Sequence, residues 1–179
     1  WLGEPLELPV SGRDLVLAVD LSGSMKTRDF VLEGEAVDRL TALKSVAVEF
    51  IRRRQGDRLG LILFADQAYV QTPLTFDRQT VELLLSEAVL GLAGEKTAIG
   101  DAIGLAVKRL QSAESKQRIL ILLTDGANTA GQVSPLKAAE LAARQGLKIY
   151  TVGIGADEMT VGSFFFERKV NPSADLDEK

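Results

Sequence analysis

Four short and almost unbroken apolar runs, at residues 15–19, 59–64, 119–123 and 149–152, alternate with longer stretches whose apolar side chains recur at helical spacing. Runs this short with no polar alternation suit strands covered on both faces, the usual condition of a parallel sheet. The stretches between them place Val37, Leu40, Leu43, Val46 and Phe50 on one helical face, then Ile99, Ile103, Val107 and Leu110, then Leu136, Ala139, Leu141 and Ala142. Parallel neighbours require crossover connections, and strand–helix alternation supplies them. The expected fold is therefore α/β: a doubly wound, mainly parallel central sheet with helices on both faces.

Asp66-Gln67 leaves no room for a crossover helix, so residues 68–71 should return antiparallel as one edge strand, with Pro73 stopping it. Residues 77–88 read as a helix capped by Asp77, with Val81, Leu84 and Leu85 facing inward. The chain opens on Trp1 rather than Met, which suggests a piece of a longer protein. On that reading, residues 1–12 are a lead-in, 13–155 the domain, and 156–179 its incomplete end. The Asp175-x-x-Glu178 spacing looks like the start of a capped helix, so a final helix and a strand after it are expected to be truncated.

Composition removes several function classes. With 0 His and 0 Cys, the chain has no imidazole base, no thiolate nucleophile and no ordinary zinc or iron site, while the redox compartment stays open. A net charge of −4 and a single tight basic run, Arg52-Arg53-Arg54, argue against nucleic acid, because phosphate binding needs a concentrated basic surface. No apolar run reaches the ~18 to 20 residues that span a bilayer as a helix. Any membrane attachment would have to come from segments absent from this chain.

What remains is oxygen chemistry at strand ends. The first run leads into Asp20-Leu21-Ser22-Gly23-Ser24, and the third into Thr124-Asp125-Gly126. In an open parallel sheet, ligands bind beyond the carboxyl ends of the strands, where successive connections leave for opposite faces. If the first strand is central and lies beside the third run, Asp20 and Asp125 emerge side by side. Ser22, Ser24 and Thr97 then complete a set of two carboxylates and three hydroxyls, which suits a hard divalent cation such as Mg²⁺, with Mn²⁺ or Ca²⁺ in its place. Two carboxylates ~4 Å apart repel by about 4 kcal/mol at an effective dielectric near 20, so without an ion one of them should hold a proton.

Asp20-x-Ser22-x-Ser24, Thr97 within Gly94-Glu95-Lys96-Thr97-Ala98-Ile99-Gly100, and Thr124-Asp125-Gly126 together resemble the metal-ion-dependent adhesion site of von Willebrand factor A (VWA) domains, over residues 13–155. Asp29-Phe30, Arg39-Leu40-Thr41-Ala42-Leu43-Lys44 and Gly56-Asp57-Arg58-Leu59-Gly60-Leu61 look most like the Bat-type bacterial aerotolerance proteins, although the segment between Asp29 and Arg39 is longer than in that subgroup. The resemblance implies a Rossmann-like fold and a cation held by Asp20, Ser22, Ser24, Thr97 and Asp125. It also implies capture of an acidic residue from a protein partner and no catalysis. It further implies a parent anchored in the bacterial inner membrane with this domain extracytoplasmic, other VWA proteins as partners, and a link to MoxR-type AAA ATPases.

Rival readings are weaker. A metal-dependent phosphoryl-transfer hydrolase using Asp20 would want a second acid two positions on, where Ser22 stands, and neither serine has a His base or a Gly-x-Ser-x-Gly elbow. Gly153-Ile154-Gly155 and Gly94-Glu95-Lys96-Thr97 lack the glycines of nucleotide-binding loops. Asp101 and Asn128 lie near the motif loops and are expected to act as caps or in turns. Plain helix capping by Asp20, Ser22 and Thr97 would explain each residue singly but not their collection at adjacent strand ends.

Overall fold

The four apolar runs are the parallel strands of a six-stranded sheet in a computed structural model that describes residues 12–91, 93–111, 117–126, 131–155 and 158–163. They are β1 (Arg13–Asp20), β4 (Arg58–Phe64), β6 (Gln117–Thr124) and β7 (Leu147–Gly155). Adding β5 (Ala68–Thr75) and β8 (Glu158–Ser163), the order across the sheet is β5-β4-β1-β6-β7-β8. β1 pairs in parallel with β4 and with β6, Val19 lying opposite both Leu63 and Leu123. It is thus central, as its unbroken apolar sequence demands.

Alternation of side chains along each strand feeds two cores. Leu15, Leu17, Val19, Leu59, Leu61 and Leu63 point to one face, against helices α1 (Arg39–Arg52) and α2 (Arg78–Ser86). Val16, Ala18, Ile62, Phe64, Leu120 and Leu122 point to the other, against α3 (Ile99–Gln111) and α4 (Pro135–Arg144). Each fully buried Leu contributes about 1.5 to 3 kcal/mol relative to an exposed one. Because the sheet is covered on both sides, the buried polar groups of β1 and β6, Asp14, Asp20 and Thr124, stand near the strand ends.

The helices pack through smaller residues than their sequences suggest. Ile99, Ile103, Val107 and Leu110 of α3 are all buried, as their spacing predicts. In α1, however, the buried face is Leu40, Leu43, Ala47 and Ile51; Val46 is exposed and Val37 belongs to a strand instead. In α4, Ala138 and Ala142 are buried while Leu136 and Leu141 are exposed. Alanine lets a helix axis approach the sheet closely, so large residues are displaced to its flanks. Asp77 caps α2 as expected, accepting the Thr80 N–H at 3.1 Å.

Both edges of the sheet are antiparallel. β5 is the expected edge strand, but it runs through Pro73 to Thr75 with register shifts against β4. An edge position and a bulge are the settings in which a strand accommodates a proline. At the far edge β8 turns back on β7, an additional strand that the sequence did not announce. The segment between Asp29 and Arg39 is a second surprise: a small hairpin of β2 (Phe30–Leu32) and β3 (Glu35–Val37). Its two-residue turn puts both Glu33 (φ 52°) and Gly34 (φ 84°) in the left-handed region, the conformation a tight hairpin requires. The suspected capped helix at residues 175–178 lies outside the described residues. Among the described residues no helix is long and apolar enough to cross a membrane.

Two glycines of α3 separate packing from propensity. At Gly100 a Cβ would run into the backbone of Val133 and Ser134, whereas at Gly104 it would meet nothing. Gly100→Ala is expected to destabilise the fold by about 1 to 3 kcal/mol through overpacking, and Gly104→Ala to stabilise it by about 0.5 to 1 kcal/mol. Urea midpoints of the two variants check this; equal shifts would mean that α3 does not press on the 131–134 segment.

Candidate metal centre

The connection from β1 leaves through α1 toward β4, while that from β6 leaves through α4 toward β7 on the opposite face. The crevice between the ends of β1 and β6 is therefore the switch point of the sheet. Asp20 ends β1 there with a fully buried carboxylate. Its Oδ1 accepts the Ser22 N–H at 2.8 Å, and its Oδ2 accepts the hydroxyl of Thr124, the last residue of β6, at 2.6 Å.

The chain then stays on the sheet for one more residue, Leu21 N–H donating to the Phe64 carbonyl at 2.8 Å. A single 3-10 turn, Gly23–Lys26, follows and is anchored by the buried Met25. Ser22 stands where a cap would, yet its hydroxyl makes no capping bond. Instead the Ser22 and Ser24 hydroxyls lie 3.2 Å apart, and Ser24 Oγ donates to Asp125 Oδ1 at 2.8 Å. Plain helix capping thus fails to account for Ser22.

Thr97 is brought to the same end by backbone bonds on either side of it. Gly23 N–H donates to the Glu95 carbonyl at 2.9 Å, and Ala98 N–H to that of Ala65 at 2.7 Å. Asp66 supplies the third tie, its Oδ1 accepting the N–H groups of Glu95 and Lys96 at 3.0 and 2.6 Å. Gly94, at φ 113°, presses so closely on the Asp66 carboxylate that a side chain there would collide with it. Asp66 holds the Thr97 loop and was missed in the sequence, although it follows the end of β4 much as Asp125 follows β6. Asp101, expected as a cap or turn residue, instead ties a distant loop from within α3, accepting the N–H groups of Gln132 and Val133 at 2.8 and 2.9 Å. Asn128 lies outside the described residues.

Ser22, Ser24, Asp20 and Asp125 are thus joined in one hydrogen-bonded group, and the Thr97 loop is tied to it. Among the described residues no three His, Cys, Asp or Glu side chains gather closely enough to hold an ion. A cation here would depend on hydroxyls as well as on the two carboxylates. The electrostatics suit one: burial pushes Asp20 up to about 6, Asp125 adding to the rise and the bonds from Ser22 and Thr124 opposing it. Asp125 is served differently, because the Arg39 guanidinium reaches its Oδ2 at 2.8 Å. The same guanidinium holds Asp29 in a fork and keeps its carboxyl below the usual range. An all-oxygen group with one buried, proton-seeking carboxylate fits a hard divalent cation.

Comparison with known proteins follows the same line. The sequence profile of the von Willebrand factor type A domain matches residues 14–161. An uncharacterised protein of Borreliella burgdorferi is 31% identical over 148 residues, which are 83% of this chain and 42% of that one. The chain thus spans less than half the length of that relative. The structure of an aerotolerance-related membrane protein from Bacteroides fragilis is similar at 30% identity and a TM-score of 0.72, covering 80% of this chain and 68% of that one. An uncharacterised membrane-spanning protein from Vibrio fischeri is 57% identical with a TM-score of 0.55, covering 93% and 82%.

The raised pKa of Asp20 has a stability consequence. Its folded value, about 6, lies above its ordinary 3.8, so the contribution is present below about pH 4 and is lost as pH rises through 6. In EDTA at pH 8, Asp20→Asn is expected to be more stable than the parent by on the order of 2 to 3 kcal/mol. At pH 4 that advantage should vanish. Thermal melts of both proteins in EDTA at the two pH values test this, and a destabilised Asp20→Asn at pH 8 contradicts it.

Proposed function

The chain belongs to the von Willebrand factor type A domain family, and we propose that it is a protein-binding module that works through a divalent cation held by Asp20, Ser22, Ser24, Thr97 and Asp125. VWA domains generally mediate metal-dependent protein interactions. The observation that carries the reading for this chain is the fully buried Asp20, held by hydrogen bonds from Ser22 and Thr124 beside the Ser24–Asp125 pair. Such a carboxylate is costly in the folded protein unless a cation completes it.

In this reading Ser22, Ser24 and Thr97 offer neutral oxygens, while Asp20 and Asp125 supply the charge. When bound, the ion provides an electrophilic point that attracts a carboxylate. The chain's own work is to present the oxygens at the rim and to keep their number of negative charges low, so that a visiting acidic side chain adds what is missing. Mg²⁺ is the ion proposed, with Mn²⁺ or Ca²⁺ able to replace it in an oxygen site. The similarity to an aerotolerance-related membrane protein supports a Bat-type setting. That setting consists of a parent anchored in the bacterial inner membrane, this domain extracytoplasmic, other VWA proteins as neighbours and a MoxR-type AAA ATPase as a functional partner.

The module is proposed to be non-catalytic. For a phosphoryl-transfer hydrolase, Asp20 would have to serve as nucleophile, yet each of its oxygens is engaged by a donor and Ser22 stands where a general acid is wanted.

Capture of a protein from membrane extracts of the source bacterium on the immobilised domain should require Mg²⁺ and fail in EDTA. Asp125→Ala should lower partner affinity about a hundredfold, the order expected for losing a charged group at a binding centre, while leaving the far-UV spectrum unchanged. Undiminished capture in EDTA, or Mg²⁺-dependent turnover of a phosphate ester that Asp20→Asn abolishes, would overturn the reading.

A further inference from the structure

One of the two carboxylates at the centre is already shared with an arginine. Arg39 Nη1 donates to Asp125 Oδ2 at 2.8 Å, and its Nη2 donates to Asp29 Oδ2 at the same distance, with Nε completing the fork at 3.2 Å. The side chains of Arg39 and Asp125 are 13% and 0% exposed, so the pair is largely shielded from solvent. With Ser24 on its other oxygen, Asp125 has both oxygens occupied by donors of this chain.

Nothing in the helix itself asks for an arginine here. Arg39 is the first residue of α1, where the helix dipole is positive, and the first turn contains no acid to offset it. Its backbone is set by other groups: Asp38 caps the helix through the Thr41 N–H at 2.8 Å, and the Arg39 N–H donates to the Thr27 carbonyl at 2.9 Å. The guanidinium is therefore held against its helix by the two acids it bridges. Its fork geometry divides one positive charge between Asp29 and Asp125 in a way a lysine would not.

We propose that Arg39 is a resident counter-ion of the metal centre: it holds Asp125 in place when no metal is bound and weakens the grip on a bound divalent cation. Resting on the reading of the centre given above, this assigns Arg39 as a positioning residue that acts through Asp125. Asp20, Asp29, Asp125 and Arg39 together leave two negative charges, which a divalent ion cancels. Removing Arg39 would leave a third and would over-satisfy the ion before any partner arrived. Asp29 has the opposite influence, since it draws part of the guanidinium's charge away from Asp125.

Calorimetric titration of the whole chain with Mg²⁺, paired with thermal melts in EDTA, tests this. Arg39→Gln is expected to bind Mg²⁺ about tenfold more tightly, the order that one unit charge several ångströms away produces at an intermediate dielectric. Asp29→Asn is expected to bind it several-fold more weakly, and Arg39→Lys to stay within about threefold of the parent, since it keeps the charge. In EDTA, Arg39→Gln should melt below the parent, with added Mg²⁺ narrowing the gap. A purely structural salt bridge would instead weaken Mg²⁺ binding in both Arg39→Gln and Asp29→Asn, and shifts of the same sign overturn the proposal. If Arg39→Gln does not fold, Arg39→Lys decides, since it keeps the charge but loses the fork: binding within about threefold of the parent supports the assignment, and binding weakened beyond that overturns it. If the parent shows no Mg²⁺ binding, it is the metal reading that fails. The counter-ion role is then judged by the melts in EDTA, where an unchanged Arg39→Gln overturns it.

Discussion

A carboxylate with no cation of its own, sealed at the end of the central strand, is the constraint around which the rest of the molecule is arranged. β1 carries an aspartate near each end, and the two are handled in opposite ways. Asp14 is met by the Arg58 fork at 2.9 and 2.8 Å, a complete internal neutralisation. Asp20 is met by hydrogen bonds from Ser22 and Thr124, which satisfy its lone pairs but not its charge. The first end is finished by the fold alone. On the reading proposed above, the second is finished when a cation arrives from outside, which would put function at the carboxyl edge of the sheet.

Three loops meet at that edge, and each is held by hydrogen bonds to its backbone in addition to packing such as that of the buried Met25. The serine loop leans on Phe64 and Glu95, the Thr97 loop on Ala65 and Asp66, and the 131–133 segment on Asp101. Gly23 and Gly94 sit at the closest approaches, where a side chain would collide with the Glu95 and Asp66 carboxylates. Hydrogen bonds to charged acceptors are worth about 1.5 to 3 kcal/mol each, more than a typical neutral one, so Asp66 and Asp101 are effective fasteners for exposed loops.

The parallel strands and the oxygen set were legible because both depend on local pattern. Residues buried on two faces must be apolar without interruption, and a ligand at a switch point must follow a strand end. Helix faces were less legible: the helical pattern put Val46 and Leu141 inward, whereas the sheet admits Ala47 and Ala138 because they allow closer approach. Pro73 was read as a terminator even though the edge position was foreseen, because the neighbouring bulge is a tertiary fact. Arg39 was unreadable for a different reason. Its partners lie 10 and 86 residues away in the chain, and no periodicity encodes a contact of that kind. The hairpin at residues 30–37 carries its turn on Glu33-Gly34, a weaker signal than Asn-Gly, and its strands are too short to show alternation.

That hairpin joins the rim at its base, where Phe30 and Val37 pack against the core. Asp29 precedes it and reaches Arg39, while the Arg28 guanidinium closes it against the Ala36 carbonyl. Val31, in its first strand, is 67% exposed. If the proposed metal centre is the point of recognition, an exposed hairpin joined beside it through Asp29 is a place where sequence could vary without altering Asp20, Ser22, Ser24 and Asp125.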